Sequence, residues 1–248
     1  MIQRMIQRRA VLLVGSSRPR GTSTSGELGR YLLGRLEPAG FRGSTFLANH
    51  LLDDAAIAAF LAAVDAAEIF IISTPLYVDS LPWLVTRTLE RLAAHRRAAG
   101  AHDGCRCLAI VNCGFPESHH TRTALDICRI FARQAHMEWA GGLGLGGGEA
   151  IGGRSLEAAG SMARNVRRAL DLTAAAIDAE EPVLEEAVRL MAKRLVPVWL
   201  YMLIAEFGWR LRARRNGVLD QLWARPYAVE AGDVSLASAP PGPPDPLH

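Results

Sequence analysis

The chain of 248 residues, half of them hydrophobic and 6% aromatic, is long enough for one substantial core and too short for two full domains. Abundant Ala and Leu with few aromatic residues favour helices packed on a sheet over an all-β sandwich. The net charge of +3 and the pI near 8.9 disfavour an acidic electron shuttle and suit an anionic cofactor or cosubstrate. The sequence has no basic stripe with interleaved aromatic residues, so nucleic-acid binding is not indicated.

Short apolar runs alternate with longer helical patterns along the first 180 residues. Several of the runs, such as AVLLVG at 10–15 and EIFIIS at 68–73, are continuously apolar, as in parallel strands covered on both faces. This alternation predicts an α/β domain over residues 1–180 with a doubly wound parallel sheet of five strands. The predicted strands are 10–15, 43–48, 68–73, 107–113 and 137–145, and the predicted helices are 26–36, 53–66, 83–99, 121–136 and 156–179.

The remainder of the chain is predicted to be an addition to this domain. Residues 181–230 are expected to form a helical extension, interrupted at Pro197, that packs on the domain or on the second subunit of a homodimer. The apolar block 195–205 and the arginines that follow it at 210–215 leave contact with a membrane surface open as an alternative. Residues 231–248, rich in Pro, Ala and Ser, are predicted to be a disordered tail. Neither a transmembrane segment nor a signal peptide is predicted, so a cytoplasmic location is expected.

The four cysteines are Cys105, Cys107, Cys113 and Cys128. The first three lie in or beside one predicted strand and are separated by even numbers of positions. Because side chains alternate between the faces of a strand, these three fall on the same side of it. We interpret them as small buried hydrophobes in a reducing compartment. No second Cys pair and no suitably spaced His pair accompanies them, so no metal site is predicted.

The loops that follow the strongest strands carry the candidate chemistry, because ligands of open parallel sheets bind at the carboxyl ends of the strands. The first, GSSRPRGTSTS at 15–25, offers hydroxyls, guanidiniums and free amides at a helix N-terminus and suits a phosphate. It lacks the GK[ST] ending of a nucleotide-hydrolysing P-loop. An ordinary Ser/Thr cap on a solvated loop explains the same residues equally well.

Two further loops have unusual compositions. TPLYVDSLP at 74–82 is stiffened by prolines and is a plausible wall for a planar ring, although a rigid connector with Tyr77 packed on the core is the alternative. NCGFPESHH at 112–120 combines a glycine, an aromatic, a carboxylate and two imidazoles. Adjacent histidines point apart, so helix capping or substrate contact is favoured there over a metal site. The G-x-G-x-x-G run at 142–147 follows the fifth predicted strand and continues into more glycine, so we interpret it as a flexible loop that could border a bound ligand.

Taken in order, the three loops resemble those of the NADPH-dependent FMN reductase-like branch of the flavodoxin superfamily over about residues 10–180. The segment WRLRARRNGVLDQLWARPY at 209–227 also resembles a C-terminal signature of one subgroup. The resemblance implies a flavodoxin-like fold, FMN as cofactor and NAD(P)H as cosubstrate. One position departs from the pattern, because Val85 stands where many relatives carry a Lys, a change that could alter cosubstrate affinity. The lack of a compact Cys cluster argues against the iron–sulfur flavoproteins of the superfamily.

The resemblance also implies roles for individual residues. The first loop is expected to wrap the FMN phosphate, the second to line the isoalloxazine ring and the third to border its other edge. Beyond the flavin no side chain is strictly required for catalysis, and Tyr77, Glu117 and His120 are candidates for substrate contact or proton supply. The residues implied are Ser16, Arg18, Ser23, Thr24 and Ser25 in the first loop, Thr74, Pro75, Leu76 and Tyr77 in the second, and Asn112, Gly114, Phe115 and Glu117 in the third.

The activity implied is transfer of hydride from NAD(P)H through FMN to a small acceptor such as a quinone, a flavin, an azo compound or a nitro compound. Two alternatives stay open. The chain could be a flavodoxin-like carrier of single electrons between proteins, or a flavin-free binding module on the same scaffold.

Overall fold

A computed structural model describes residues 8–18, 22–100 and 104–225. Its central feature is a parallel sheet of five strands: β1 (Arg8–Val14), β2 (Phe41–Leu47), β3 (Ile69–Pro75), β4 (Arg106–Asn112) and β5 (Glu138–Leu145). The strand order is β2-β1-β3-β4-β5, with every neighbouring pair parallel. The chain adds β2 on one side of β1 and β3 on the other, so the topological switch point lies between β1 and β3. The predicted doubly wound sheet of five strands is confirmed.

Seven helices accompany the sheet in the described part of the chain: α1 (Thr24–Leu36), α2 (Asp54–Asp65), α3 (Trp83–Ala98), α4 (Arg122–Gln134), α5 (Arg164–Asp178), α6 (Glu185–Met191) and α7 (Val198–Arg215). The starts of α1 and α2 are fixed by side-chain caps. Ser23 Oγ accepts from the Gly26 N–H, and Asp53 accepts from the Ala56 N–H. Helices α1, α5 and α6 cover one face of the sheet, and α2, α3 and α4 cover the other.

The core has two halves because successive strand residues point to opposite faces. Leu12, Ile71 and Ile110 pack against α1 and α5. Phe70 and Val111 pack in the half that contains α2, α3 and α4. In β4 every residue is buried. Burial on both faces explains why the strand sequences are continuously apolar and do not alternate between apolar and polar residues.

One predicted boundary was wrong for a local backbone reason. The helix predicted over 156–179 begins only at Arg164, because Gly160 has a φ of +60° and interrupts helical geometry before it. β5 ends at Leu145, where the strand was predicted to end, so the interpretation of the G-x-G-x-x-G run as a loop was wrong for its first four residues. The extension is divided as predicted around Pro197, which lies directly before α7, where a missing N–H has no cost.

The chain divides into two compact units, residues 1–201 and 202–248. In the first, Ala187 and Met191 of α6 are buried in the core half that contains α1 and α5. In the second, the described residues 202–225 comprise most of α7 and a short turn at Leu219–Gln221. The predicted disordered tail at 231–248 lies outside the described residues. None of the described helices has the length and apolar character needed to cross a bilayer.

All four cysteines are buried and free. Cys105 and Cys107 share the core half of α2, α3 and α4 with Cys128 of α4, whereas Cys113 follows β4 at the edge of the sheet. Burial raises the pKa of Cys105 to about 11 and that of Cys128 to about 12, and it raises the pKa of Cys107 well above its ordinary value. The core thiols therefore stay protonated in the folded chain at neutral pH.

These thiols predict a loss of stability in alkali. Unfolded thiols ionise near pH 9, whereas the folded thiols of Cys105 and Cys128 hold their protons to about pH 11 and 12. The stabilisation is therefore complete below pH 9 and is lost as the pH rises through the folded values. We expect the free energy of unfolding, measured with urea at pH 8 to 10.5, to fall above pH 9 and to fall less steeply in Cys128→Ala. A slope unchanged by that substitution would contradict the assignment.

Candidate active site

The carboxyl ends of β1, β3 and β4 enclose a polar cavity of about 140 Å³ at the switch point. Of the thirteen residues predicted to bind the cofactor, ten line it, and the other three (Thr74, Phe115 and Glu117) do not. The structure thus brings the three predicted loops together around one site. The lining residues are Ser16, Arg18, Ser23, Thr24, Ser25, Pro75, Leu76, Tyr77, Asn112, Cys113, Gly114 and Glu149.

Two serine hydroxyls are available to an anion at the α1 end of the cavity. Ser23 Oγ accepts the Gly26 N–H at 3.0 Å, and Ser16 Oγ accepts the Arg18 N–H at 3.3 Å. Since a hydroxyl donates one proton in addition to accepting, both serines can still donate into the cavity. The helix N-terminus adds partial positive charge and unpaired N–H groups at the same place.

Thr24 and Ser25 line the cavity, but their hydroxyl protons are already used. Thr24 Oγ1 donates to the Gly148 carbonyl at 2.8 Å, and Ser25 Oγ donates to Asn112 Oδ1 at 2.7 Å. Ser73 Oγ in turn donates to the Ser25 carbonyl at 2.6 Å. These bonds join the start of α1 to β3, β4 and the loop after β5. Thr24 and Ser25 can therefore serve an anion through their backbone N–H groups and not through their hydroxyls.

The loop after β3 holds Tyr77 at the mouth of the cavity. Tyr77 and Ser80 exchange backbone hydrogen bonds of 2.9 and 3.1 Å across a tight turn, with Val78 and Asp79 at positive φ. This turn leaves the Tyr77 side chain about half exposed, with 47% of its surface accessible. The predicted alternative, Tyr77 packed on the core, is wrong.

Thr74 is fully buried below the first loop, so its predicted contact with a ligand is not seen in the cavity lining. A Cβ atom at Gly15 would lie 2.3 Å from Thr74 Oγ1 and 2.6 Å from Val85 Cγ2. The first loop can pass this close to β3 and α3 only because residue 15 has no side chain. Val85 is itself buried in the core, so this position adds no cation to the cavity.

The loop after β4 is held by residues that follow the five-stranded sheet in the sequence. The Tyr201 hydroxyl donates to the Gly114 carbonyl at 2.6 Å, and Arg194 pairs with Glu117 at 3.3 Å. Burial, with nearby carboxylates, raises the pKa of Tyr201, which keeps this hydroxyl a donor. No local sequence signal indicates these contacts, because the paired residues are 77 and 87 positions apart.

Beside the cavity, Phe115 and His119 of the same loop are exposed and His120 is partly buried. Phe115 is 56% exposed, and its ring centroid lies 4.6 Å from that of His120. The His120 ring is also 4.3 Å from the His119 ring. Phe115, expected to border the flavin, and His120, a candidate for substrate contact or proton supply, thus form an edge of tilted, contacting rings outside the cavity lining.

The connection after β5 adds a fourth wall, as the glycine-rich run there suggested, and it contributes Glu149, which sequence reasoning missed. Glu149 lines the cavity and pairs with Arg18 at 3.0 Å. Gly153, with a φ of +75°, lies so close to the first loop that a Cβ atom there would be 2.2 Å from the Thr22 carbonyl carbon. The run of glycines between residues 146 and 153 was the available signal, since close backbone approach is one reason for glycine at such positions.

The sequence of this chain matches neither a protein-family model nor a curated protein. Solved structures do match. An NADH:FMN oxidoreductase in its apo form is 18% identical with a TM-score of 0.50, over 77% of this chain and 96% of that chain. A flavone reductase is 11% identical with a TM-score of 0.53, and the match covers 70% of this chain and 65% of that chain. An oxidoreductase from Corynebacterium diphtheriae is 12% identical with a TM-score of 0.51, and the match covers 75% of this chain and 97% of that chain.

At these identities the likeness concerns the fold, and it agrees with the strand order described above. The chain has a flavodoxin-like fold. In flavodoxin-like proteins the switch point between β1 and β3 is where the ligand binds, beyond the carboxyl ends of the strands. The cavity of this chain lies at that point of the flavodoxin-like sheet, next to the N-terminus of α1.

Proposed function

We propose that this chain is an FMN-dependent oxidoreductase of the NADPH-dependent FMN reductase-like group, which transfers hydride from NAD(P)H to a small acceptor. The observation that carries the proposal is the combination of Ser16, Arg18 and Ser23 with the N-terminus of α1 in one cavity at the switch point. Hydroxyl donors, a guanidinium and unpaired N–H groups together are the chemistry that a phosphate monoester needs.

The residues present fit FMN at both of its ends. Ser16, Ser23 and Arg18 would hold the phosphate, with the backbone N–H groups of Thr24 and Ser25 beside them. The cavity opens beside the exposed side chains of Tyr77 and Phe115, which offer apolar surface to a planar ring. When bound, FMN supplies a ring that takes up hydride and returns electrons.

The protein's own contribution is positioning. The loop after β4 is fixed by Tyr201 and Arg194, so the aromatic edge beside the cavity has a defined place. Tyr77, Glu117 and His120 lie in the two loops at the mouth, where they could contact an acceptor or supply a proton. A quinone, a free flavin, an azo compound or a nitro compound suits an open mouth of this kind.

The oxidation of NADH and NADPH distinguishes this proposal from the carrier alternative. We expect purified chain loaded with FMN to oxidise at least one of the two nicotinamides, followed at 340 nm, when a soluble quinone is added. A carrier of single electrons between proteins would bind FMN but leave both nicotinamides unchanged. FMN binding without nicotinamide oxidation would therefore contradict the enzyme and favour the carrier.

Exposed apolar side chains in the second compact unit support the expected homodimer. Most large apolar side chains of residues 202–225 are exposed, and apolar groups in such number mark an interaction surface. We propose that a second copy of the chain covers them. The exposed residues are Met202, Leu203, Ile204, Phe207, Trp209, Leu211, Val218, Leu219, Leu222 and Trp223.

Light scattering tests the homodimer. We expect about twice the chain mass of 26.8 kDa for the unmodified protein. Phe207→Ser together with Trp209→Ser should give the single-chain mass, whereas Leu52→Ser, an exposed apolar control in the first unit, should not. A monomeric unmodified protein would contradict the dimer, and co-sedimentation of that monomer with anionic liposomes would instead support the membrane alternative.

A further inference from the structure

The charged groups of the cavity neutralise one another. Among the described residues that line it, Arg18 carries the one guanidinium and Glu149 the one carboxylate. Arg18 Nη2 and Glu149 Oε1 are 3.0 Å apart, and both side chains are more than half exposed, at 51% and 61%. An arriving phosphate therefore meets a cation that already has an anionic partner.

The backbone around Glu149 is held independently of Arg18. Glu149 lies in the short turn Gly148–Ala150, where the Gly148 N–H donates to the Cys113 carbonyl at 2.9 Å. The Gly148 carbonyl accepts from Thr24 Oγ1 at 2.8 Å. Both bonds link this turn to the walls of the cavity, so the carboxylate stays beside the site when Arg18 turns towards another partner.

We propose that Glu149 competes with the phosphate of FMN for Arg18 and thereby sets how tightly the site retains phosphorylated flavins. This inference rests on the proposed function, because it concerns the same cavity and the same cofactor. A carboxylate and a phosphate cannot both use one solvated guanidinium without mutual repulsion, and each gains from a bidentate pairing with it. Riboflavin has the ring and the ribityl chain of FMN without the phosphate, so Glu149 should not affect its binding.

The test compares the dissociation constants of FMN and riboflavin, measured from flavin fluorescence, in matched variants. Glu149→Gln should bind FMN about three- to tenfold more tightly, the range expected when one exposed guanidinium is released from its ion pair. Its affinity for riboflavin should change less than about twofold. Glu157→Gln, which removes an exposed carboxylate from the same β5–α5 connection, should leave both constants unchanged.

The Arg18→Ala background shows whether the carboxylate acts through Arg18. In that background Glu149→Gln should change FMN binding by less than about twofold, because there is no guanidinium left to release. A full gain in the absence of Arg18 would overturn the competition, and so would an unchanged FMN constant in Glu149→Gln alone. Failure of the unmodified chain to bind either flavin would instead overturn the proposed function, so the two failures are distinguishable.

Discussion

Replacing Arg18 and Ser23 together by alanine is expected to raise the dissociation constant of FMN by about a hundredfold. A hydrogen bond to a charged group contributes about 1.5–3 kcal/mol and a neutral one about 1 kcal/mol, and the double variant loses one donor of each kind. Riboflavin should bind the double variant and the unmodified chain alike. Titration of flavin fluorescence with both ligands measures the two effects side by side.

Two controls separate loss of phosphate contacts from loss of structure. Ser23 also caps α1, so its removal costs about 1 kcal/mol of stability, and unfolding in urea will show whether the variant is still folded. Arg42→Ala with Ser44→Ala makes the same exchanges at exposed positions of β2 and should leave FMN binding unchanged. Equal losses of FMN and riboflavin affinity in Arg18→Ala with Ser23→Ala would contradict a phosphate site at these residues.

Gly153→Ala is expected to destabilise the fold and weaken FMN binding together. The added Cβ would lie 2.2 Å from the Thr22 carbonyl carbon, and the φ of +75° disfavours any side chain. Strain of this kind costs about 1–3 kcal/mol, and relief by displacement of Thr22 would distort the first loop. We expect the FMN dissociation constant to rise about tenfold, equivalent to about 1.4 kcal/mol.

Gly34→Ala is the matched control for this substitution. Gly34 is an exposed residue of α1, and a Cβ atom there would meet nothing within 4 Å. Alanine should therefore stabilise α1 by about 0.5–1 kcal/mol and leave flavin binding unchanged. If Gly153→Ala behaves like Gly34→Ala in urea unfolding and FMN titration, the close contact between the two loops does not exist in solution.

The parallel sheet could be predicted because its signals are local. Runs such as EIFIIS are apolar without alternation, and only strands buried on both faces tolerate that pattern, as β3 does here. The three loops followed from the same reasoning, since the carboxyl ends of parallel strands share one edge of the sheet. Within the first loop, the resemblance implied Ser16, Arg18 and Ser23 as phosphate contacts, and these three residues line a common cavity.

The remaining features of the site depend on contacts between distant parts of the chain. Nothing local to Glu149 indicates that its carboxylate will meet Arg18, 131 residues earlier, and Tyr201 reaches Gly114 across 87 residues. Thr24 was predicted as a phosphate contact, but its hydroxyl is used by a carbonyl that the sequence alone could not place. Sequence patterns indicate which elements form, whereas the pairing of side chains between loops depends on how those elements pack.

The visible absorption spectrum of the purified chain, dialysed after incubation with FMN, tests the central claim most directly. FMN binding predicts retained absorbance near 450 nm, in stoichiometric amount, with the flavin fluorescence altered by the protein. Arg18→Ala with Ser23→Ala should retain much less under the same dialysis. A colourless unmodified protein that leaves the fluorescence of added FMN unchanged would contradict the flavin site and the oxidoreductase function built on it.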